Sequence, residues 1–189
     1  MLARVHFSAM GGRGLTREVP DLGLLKDVVS DRVLRAMRLA SLELTRLGVR
    51  HWLVGGLAVG AYGHPRATKD VDFFVGDEAF ETNGGGLVTM KPGVPIQADG
   101  VAIDHLSAQE GESFLVPLLR PPTEELAVAP LEVLVYLKLK SPRAKDRADL
   151  VELIKAGADV QRCKKWLAAH APAHLPALDA LEQAARAEE

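Results

Sequence analysis

Asp70 and Asp72 stand two residues apart in the run Lys69-Asp70-Val71-Asp72-Phe73-Phe74-Val75. On a strand, whose side chains alternate with a period of two, both carboxylates share one face with Phe74 beyond them. Two like charges so close repel unless a cation neutralises them. Hard divalent ions take oxygen ligands from one or two carboxylates together with the phosphates of a substrate, so the spacing makes a platform for Mg2+ or Mn2+. Upstream, Gly55-Gly56 separates the apolar run His51 to Val54 from a short helical stretch. Lacking Cβ atoms, such a pair lets the chain turn tightly and bring backbone N–H groups close to an anion. Downstream, Asp104 lies in the apolar run Val101 to Leu106. A carboxylate there is costly unless it is paired, hydrogen-bonded or metal-bound. Each feature has a plainer explanation taken singly: a surface pair, a strand-to-helix turn, an edge residue facing water.

The elements that must position these residues follow from pattern. Apolar positions from Asp21 to Leu47 recur at helical spacing, with Gly48 where a helix ends. His51 to Val54 reads as a buried strand, residues 57–63 as a short helix stopped by Gly63 and Pro65, and Val71 to Val75 as the next strand. Residues 83–86 read as a loop. Asp99-Gly100 is a turn signal between Ile96-Gln97-Ala98 and Val101 to Leu106, which predicts a hairpin. Pro130 suits the first turn of a helix over Leu131 to Leu139. Helices over Ala144 to Ala156, Asp159 to Ala169 and from Leu175 complete the chain. The expected architecture is α+β: an irregular lead-in over 1–20, a small mixed sheet core over 21–128, and a helical C-terminal region over 129–189.

Taken in order, strand, Gly-Gly, short helix, Asp-x-Asp strand and a third Asp on a later strand resemble the nucleotidyltransferase fold of the polymerase-beta-like superfamily. The segment is most similar to the AbiEii-like and minimal nucleotidyltransferase branch, through Gly55, Gly56, Ala58, Tyr62, Gly63, Pro65, Arg66, Thr68, Asp70 and Asp72. The stretch PLEVLVYLKLKSPRAKDRADLVEL, with Lys138, Lys145, Asp146 and Asp149, is also similar. The likeness covers about residues 50–157. Many members of the wider superfamily carry Gly-Ser where this chain has Gly55-Gly56, which removes one hydroxyl contact to phosphate and leaves backbone donors.

The resemblance implies that Asp70, Asp72 and Asp104 form the catalytic and metal-binding set, with Asp104 drawing the proton from an attacking hydroxyl. It implies transfer of a nucleoside monophosphate from an NTP to an RNA 3′ end, a protein or a small molecule. Gly55, Gly56, Arg66, Lys69 and Lys138 are the expected nucleotide contacts; Arg offers phosphate a planar fork and Lys a point charge. Lys140, Arg143 and Lys145 are candidates to face a polyanionic acceptor. The alternative implied by the same likeness is a toxin–antitoxin or defence component that works by binding a cognate protein partner, with weak or lost catalysis. A metal-dependent glycosyltransferase ranks behind both, because only one strand candidate precedes Asp70. A phosphatase of the D-x-D-x-T kind fails at Phe74.

Composition bounds these readings. The chain has 189 residues, 23 Lys and Arg against 25 Asp and Glu, and 48% apolar residues, which disfavours intrinsic disorder. Charge is unevenly laid: residues 1–50 carry +4, 51–137 carry −8 and 138–165 carry +5. An acidic middle between basic flanks suits carboxylates whose phosphate-bearing ligand is also held from the sides. No apolar run reaches the roughly 18–20 residues a membrane span needs. With Cys163 alone, no intramolecular disulfide is possible. The expectation is a soluble cytoplasmic protein. The six His show no metal-ligand spacing; His170 and His174 are separated by Pro172, which breaks the helix that would align them.

Overall fold

The computed structural model describes residues 19–188. The lead-in expected over 1–20 therefore lies, for its first 18 positions, outside the described residues. The remainder is α+β, with one small mixed sheet and a helical C-terminal half.

The expected helix over Asp21 to Leu47 is corrected. Asp21 caps a 3-10 turn at Leu22–Leu25, the chain reverses at Asp27 (φ 67°), and α1 runs only over Asp31–Arg46. Ser30 decides the boundary: its side chain accepts from the Val33 N–H at 3.4 Å, and Asp31 follows in the first turn. Both features favour a helix start over a helix interior. Val33, Ala36, Met37, Ala40 and Leu44 then bury one face of α1.

Strands β1 (His51–Leu53), β2 (Val71–Val75), β5 (Gln97–Ala98) and β6 (Val101–Leu106) form the main sheet, in the order β1-β2-β6-β5. β2 pairs antiparallel with β1 and parallel with β6, and β5 pairs antiparallel with β6. The expected hairpin forms at Asp99-Gly100, where φ is positive at both residues (47° and 71°), as a two-residue primed turn demands. A second hairpin, β3 (Phe80–Thr82) with β4 (Val88–Met90), flanks the loop expected over 83–86.

Alternation on β2 and β6 feeds two cores. Val71, Phe73, Val75, Val101 and Ile103 face α1, while Phe74 packs with Trp52 on the opposite side, ring centroids 6.0 Å apart. That second side is covered by α3 (Leu131–Leu139), which is buried around most of its circumference. Pro130 stands at its N-cap, one position before the expected first turn. The helices α4 (Ala144–Lys155), α5 (Val160–His170) and α6 (Leu175–Ala187) pack beyond it. Tyr62 ties the two halves together, its buried hydroxyl donating to the Ala129 carbonyl at 3.0 Å. Cys163 is buried, and burial pushes its thiol up to about 12. Among the described residues no helix is long and apolar enough to cross a membrane.

Candidate functional site

Asp72 on β2 and Asp104 on β6 are register partners in the parallel pair. Residues opposite one another in a sheet project to the same side, so the second and third of the predicted carboxylates share a face. Their neighbours Val71 and Ile103 point the other way into the core. Asp104 is exposed, which removes the desolvation cost its apolar neighbours implied. Asp70 lies just before β2, where the Thr68 hydroxyl donates to its Oδ1 at 2.8 Å. Asp72 is half-buried. Burial pushes its carboxyl above the usual range, the charges of Asp70 and Asp104 add to that shift, and Lys138 and Arg143 oppose it.

The glycine pair opens α2 (Gly55–Ala61), so the helix begins two residues before the expected 57. Gly55 has φ 64°, a backbone conformation costly for side chains with a Cβ. A Cβ there would stand 1.8 Å from Asp72 Oδ2, so the carboxylate rests directly on the glycine backbone. At Gly56 a Cβ would meet the Arg66 guanidinium at 3.2 Å and the Thr68 hydroxyl at 3.4 Å. Val54, at the N-cap, supplies no side-chain acceptor to this first turn.

The expected phosphate contacts are held by acids the sequence reading had given no role. Arg66 donates through Nε and Nη2 to the two oxygens of Asp149, at 2.7 and 2.8 Å. Lys138 is buried and donates to Asp146 at 2.5 Å and Asp149 at 2.6 Å. Ser141 and Arg143 donate to the other oxygen of Asp146, at 2.5 and 2.6 Å. Burial raises Asp146, but the hydrogen bonds from Lys138 and Ser141 and the nearby positive charges outweigh it, holding its carboxyl at about 2. Lys69 is exposed. Lys140 turns instead to Glu112, which also accepts from the Tyr136 hydroxyl at 2.6 Å.

A small pocket joins these parts, lined by Gly55, Asp72, Leu106, Leu137, Lys138 and Arg143 among others. Larger hollows lie between the Leu22–Leu25 turn and α1 and along residues 120–127, and hold none of the candidate site residues. His170 stacks on Trp166 with ring centroids 4.6 Å apart.

The acidic set fits a hard divalent cation in kind, since it offers carboxylate oxygens and carries a repulsion at Asp72 that a cation would relieve. Among the described residues, no three His, Cys, Asp or Glu side chains already stand close enough together to hold one. The chain matches no model of a known protein family, and no curated protein matches it.

Proposed function

We propose that the chain is a metal-dependent nucleotidyltransferase that moves a nucleoside monophosphate from an NTP to a hydroxyl acceptor. The observation that carries the reading is the pairing of Asp72 with Asp104 across β2 and β6, with the Asp72 carboxylate laid against Gly55. Carboxylates, a glycine turn and a cation-rich α3–α4 junction on one rim are what the handling of a triphosphate requires.

In this reading Asp70, Asp72 and Asp104 would hold Mg2+ or Mn2+, which would supply neutralisation of the charge developing on the phosphoryl oxygens. Asp104, the exposed member, accepts the proton of the acceptor hydroxyl. That oxygen bonds to the α-phosphorus, the bond to the bridging oxygen breaks, and pyrophosphate leaves with the electron pair. Arg143, on the Asp72 side of the pocket with its side chain 74% exposed, is open to meet the departing phosphates. The acceptor, whether an RNA 3′ end, a protein or a small molecule, approaches from the open side where Asp104 lies.

The test is incubation with Mg2+ and labelled NTPs in a cell extract. Label should pass to an acceptor, and Asp72→Ala should abolish transfer. Asp104→Asn should keep NTP binding but slow turnover by about 10²–10⁴-fold, the usual contribution of a positioned base. Transfer that survives Asp72→Ala overturns the assignment.

A further inference from the structure

We propose that Asp149 is a positioning residue of this site, acting through Arg66; the inference rests on the nucleotidyl-transfer reading above. Asp149 is 83 positions from Arg66 in the chain and on a different element, yet their contact is a two-pronged fork. The Asp149 side chain is 3% exposed and that of Arg66 is 21% exposed, so neither is a solvated surface group. A buried carboxylate requires full compensation, and Asp149 obtains it from Arg66 and Lys138.

The fork uses Nε and Nη2 and leaves the third nitrogen, Nη1, without a protein acceptor among the described residues. That nitrogen lies 3.4 Å from where a Gly56 Cβ would stand, so the guanidinium lies on the glycine turn, close to the Asp72 carboxylate's own resting place at Gly55. Asp149 thus fixes the plane of a cation that lies against the turn, with Nη1 left over from the fork. Asp146 performs the same service one step further out, holding Lys138 and the exposed Arg143. Across this junction, two carboxylates face three cations, leaving one positive charge in surplus beside Asp70 and Asp72. A polyphosphate meets donors already oriented, and their side-chain freedom is lost during folding and not during binding.

A brace that merely joined α4 to the loop before β2 would affect stability alone. The experiment that separates the two is a double-mutant cycle read by calorimetric titration with inorganic tripolyphosphate in Mg2+. Arg66→Gln should weaken binding about tenfold, the worth of one charge-assisted contact. Asp149→Asn should weaken it by a similar factor, and the double variant should bind no worse than Arg66→Gln alone. Should Asp149→Asn fail to fold, Arg66→Lys serves instead: it keeps the charge, cannot make the fork, and should lose about the same tenfold. The inference falls if folded Asp149→Asn, or Arg66→Lys, binds as tightly as the wild type, or if the two losses multiply in the double variant. If nucleotide transfer persists in that case, only the role of Asp149 is lost. A wild-type chain that neither binds tripolyphosphate nor transfers nucleotide overturns both readings.

Discussion

Replacing Gly55 by Ala tests the closeness of the glycine turn to the carboxylate strand. Two costs arise. The first is backbone: at φ 64° a Cβ crowds the following carbonyl, which costs about 1–2 kcal/mol. The second is collision, since the new methyl would lie 1.8 Å from Asp72 Oδ2, 2.5 Å from its Cγ and 2.8 Å from its Cβ. Rotating the carboxylate away relieves the first two distances but not the third, so backbone must also shift. Overpacking of this kind costs about 1–3 kcal/mol. The total expected loss is roughly 2–5 kcal/mol. Gly48 supplies the control. It has φ 72° after α1 and nothing within 4 Å of a Cβ, so Gly48→Ala carries the backbone cost alone, about 1–2 kcal/mol. Urea unfolding of both variants, with the slope against denaturant checked for constancy, gives the difference directly. Adding Asp72→Ala to Gly55→Ala removes the Oδ2 and Cγ contacts but keeps the Cβ at 2.8 Å, so it should recover part of the excess and not all of it. Equal losses for the two glycine variants, or an excess indifferent to Asp72→Ala, would refute the placement of the Asp72 carboxylate against the turn.

Further expectations concern the α3–α4 junction and the seam between the halves. Asp146, held at about 2 in the folded chain against 3.8 ordinarily, contributes stability that is complete above pH 4–5 and is lost as the pH falls through 3.8 toward 2. The contribution is of order 2 kcal/mol, and Asp146→Asn should flatten the stability profile in that acid window while leaving its shape above pH 5 unchanged. Tyr62→Phe removes a buried hydroxyl from the Ala129 carbonyl and should cost about 1–2 kcal/mol in the same unfolding assay. A loss below about 0.3 kcal/mol would show that the hydroxyl does not hold the seam. Arg50→Ala should free Glu78, whose carboxyl Arg50 holds at about 2, and its titration, followed by carboxyl NMR shifts, should move up toward the ordinary glutamate range.

The strands that carry Asp72 and Asp104 were legible because their signal is local. Asp70 and Asp72 read as one face of a strand, but β2 begins at Val71 and leaves Asp70 just before it. The Asp99-Gly100 turn fixes β6 against β5, while the parallel register that sets Asp104 opposite Asp72 has no local signal. The break before α1 was present as a Ser30-Asp31 cap signal, overridden in the reading by the helix-like spacing of Leu24, Leu25, Val28 and Val29. The β3–β4 hairpin was not read because its strands are three residues long and alternation needs more length to register. The engagement of Arg66 by Asp149 was beyond reach for a different reason. It depends on how α4 docks on the loop before β2, and no periodicity within either segment encodes that contact. Asp146 and Asp149 did carry one usable hint: spaced three apart on a helix, two acids on one side need cations to face them when buried.

The near-complete enclosure of α3 has a consequence for how the molecule comes apart. Trp52 and Phe74, from the strand side, share a cluster with Leu134, Leu150, Leu167 and Leu178 from the helical half. A fragment cut after Val128 would bare that apolar surface, and limited proteolysis there should yield aggregation in place of a trimmed, folded core. Heating should give one calorimetric transition spanning both halves, because the strand side and the helical side share that cluster.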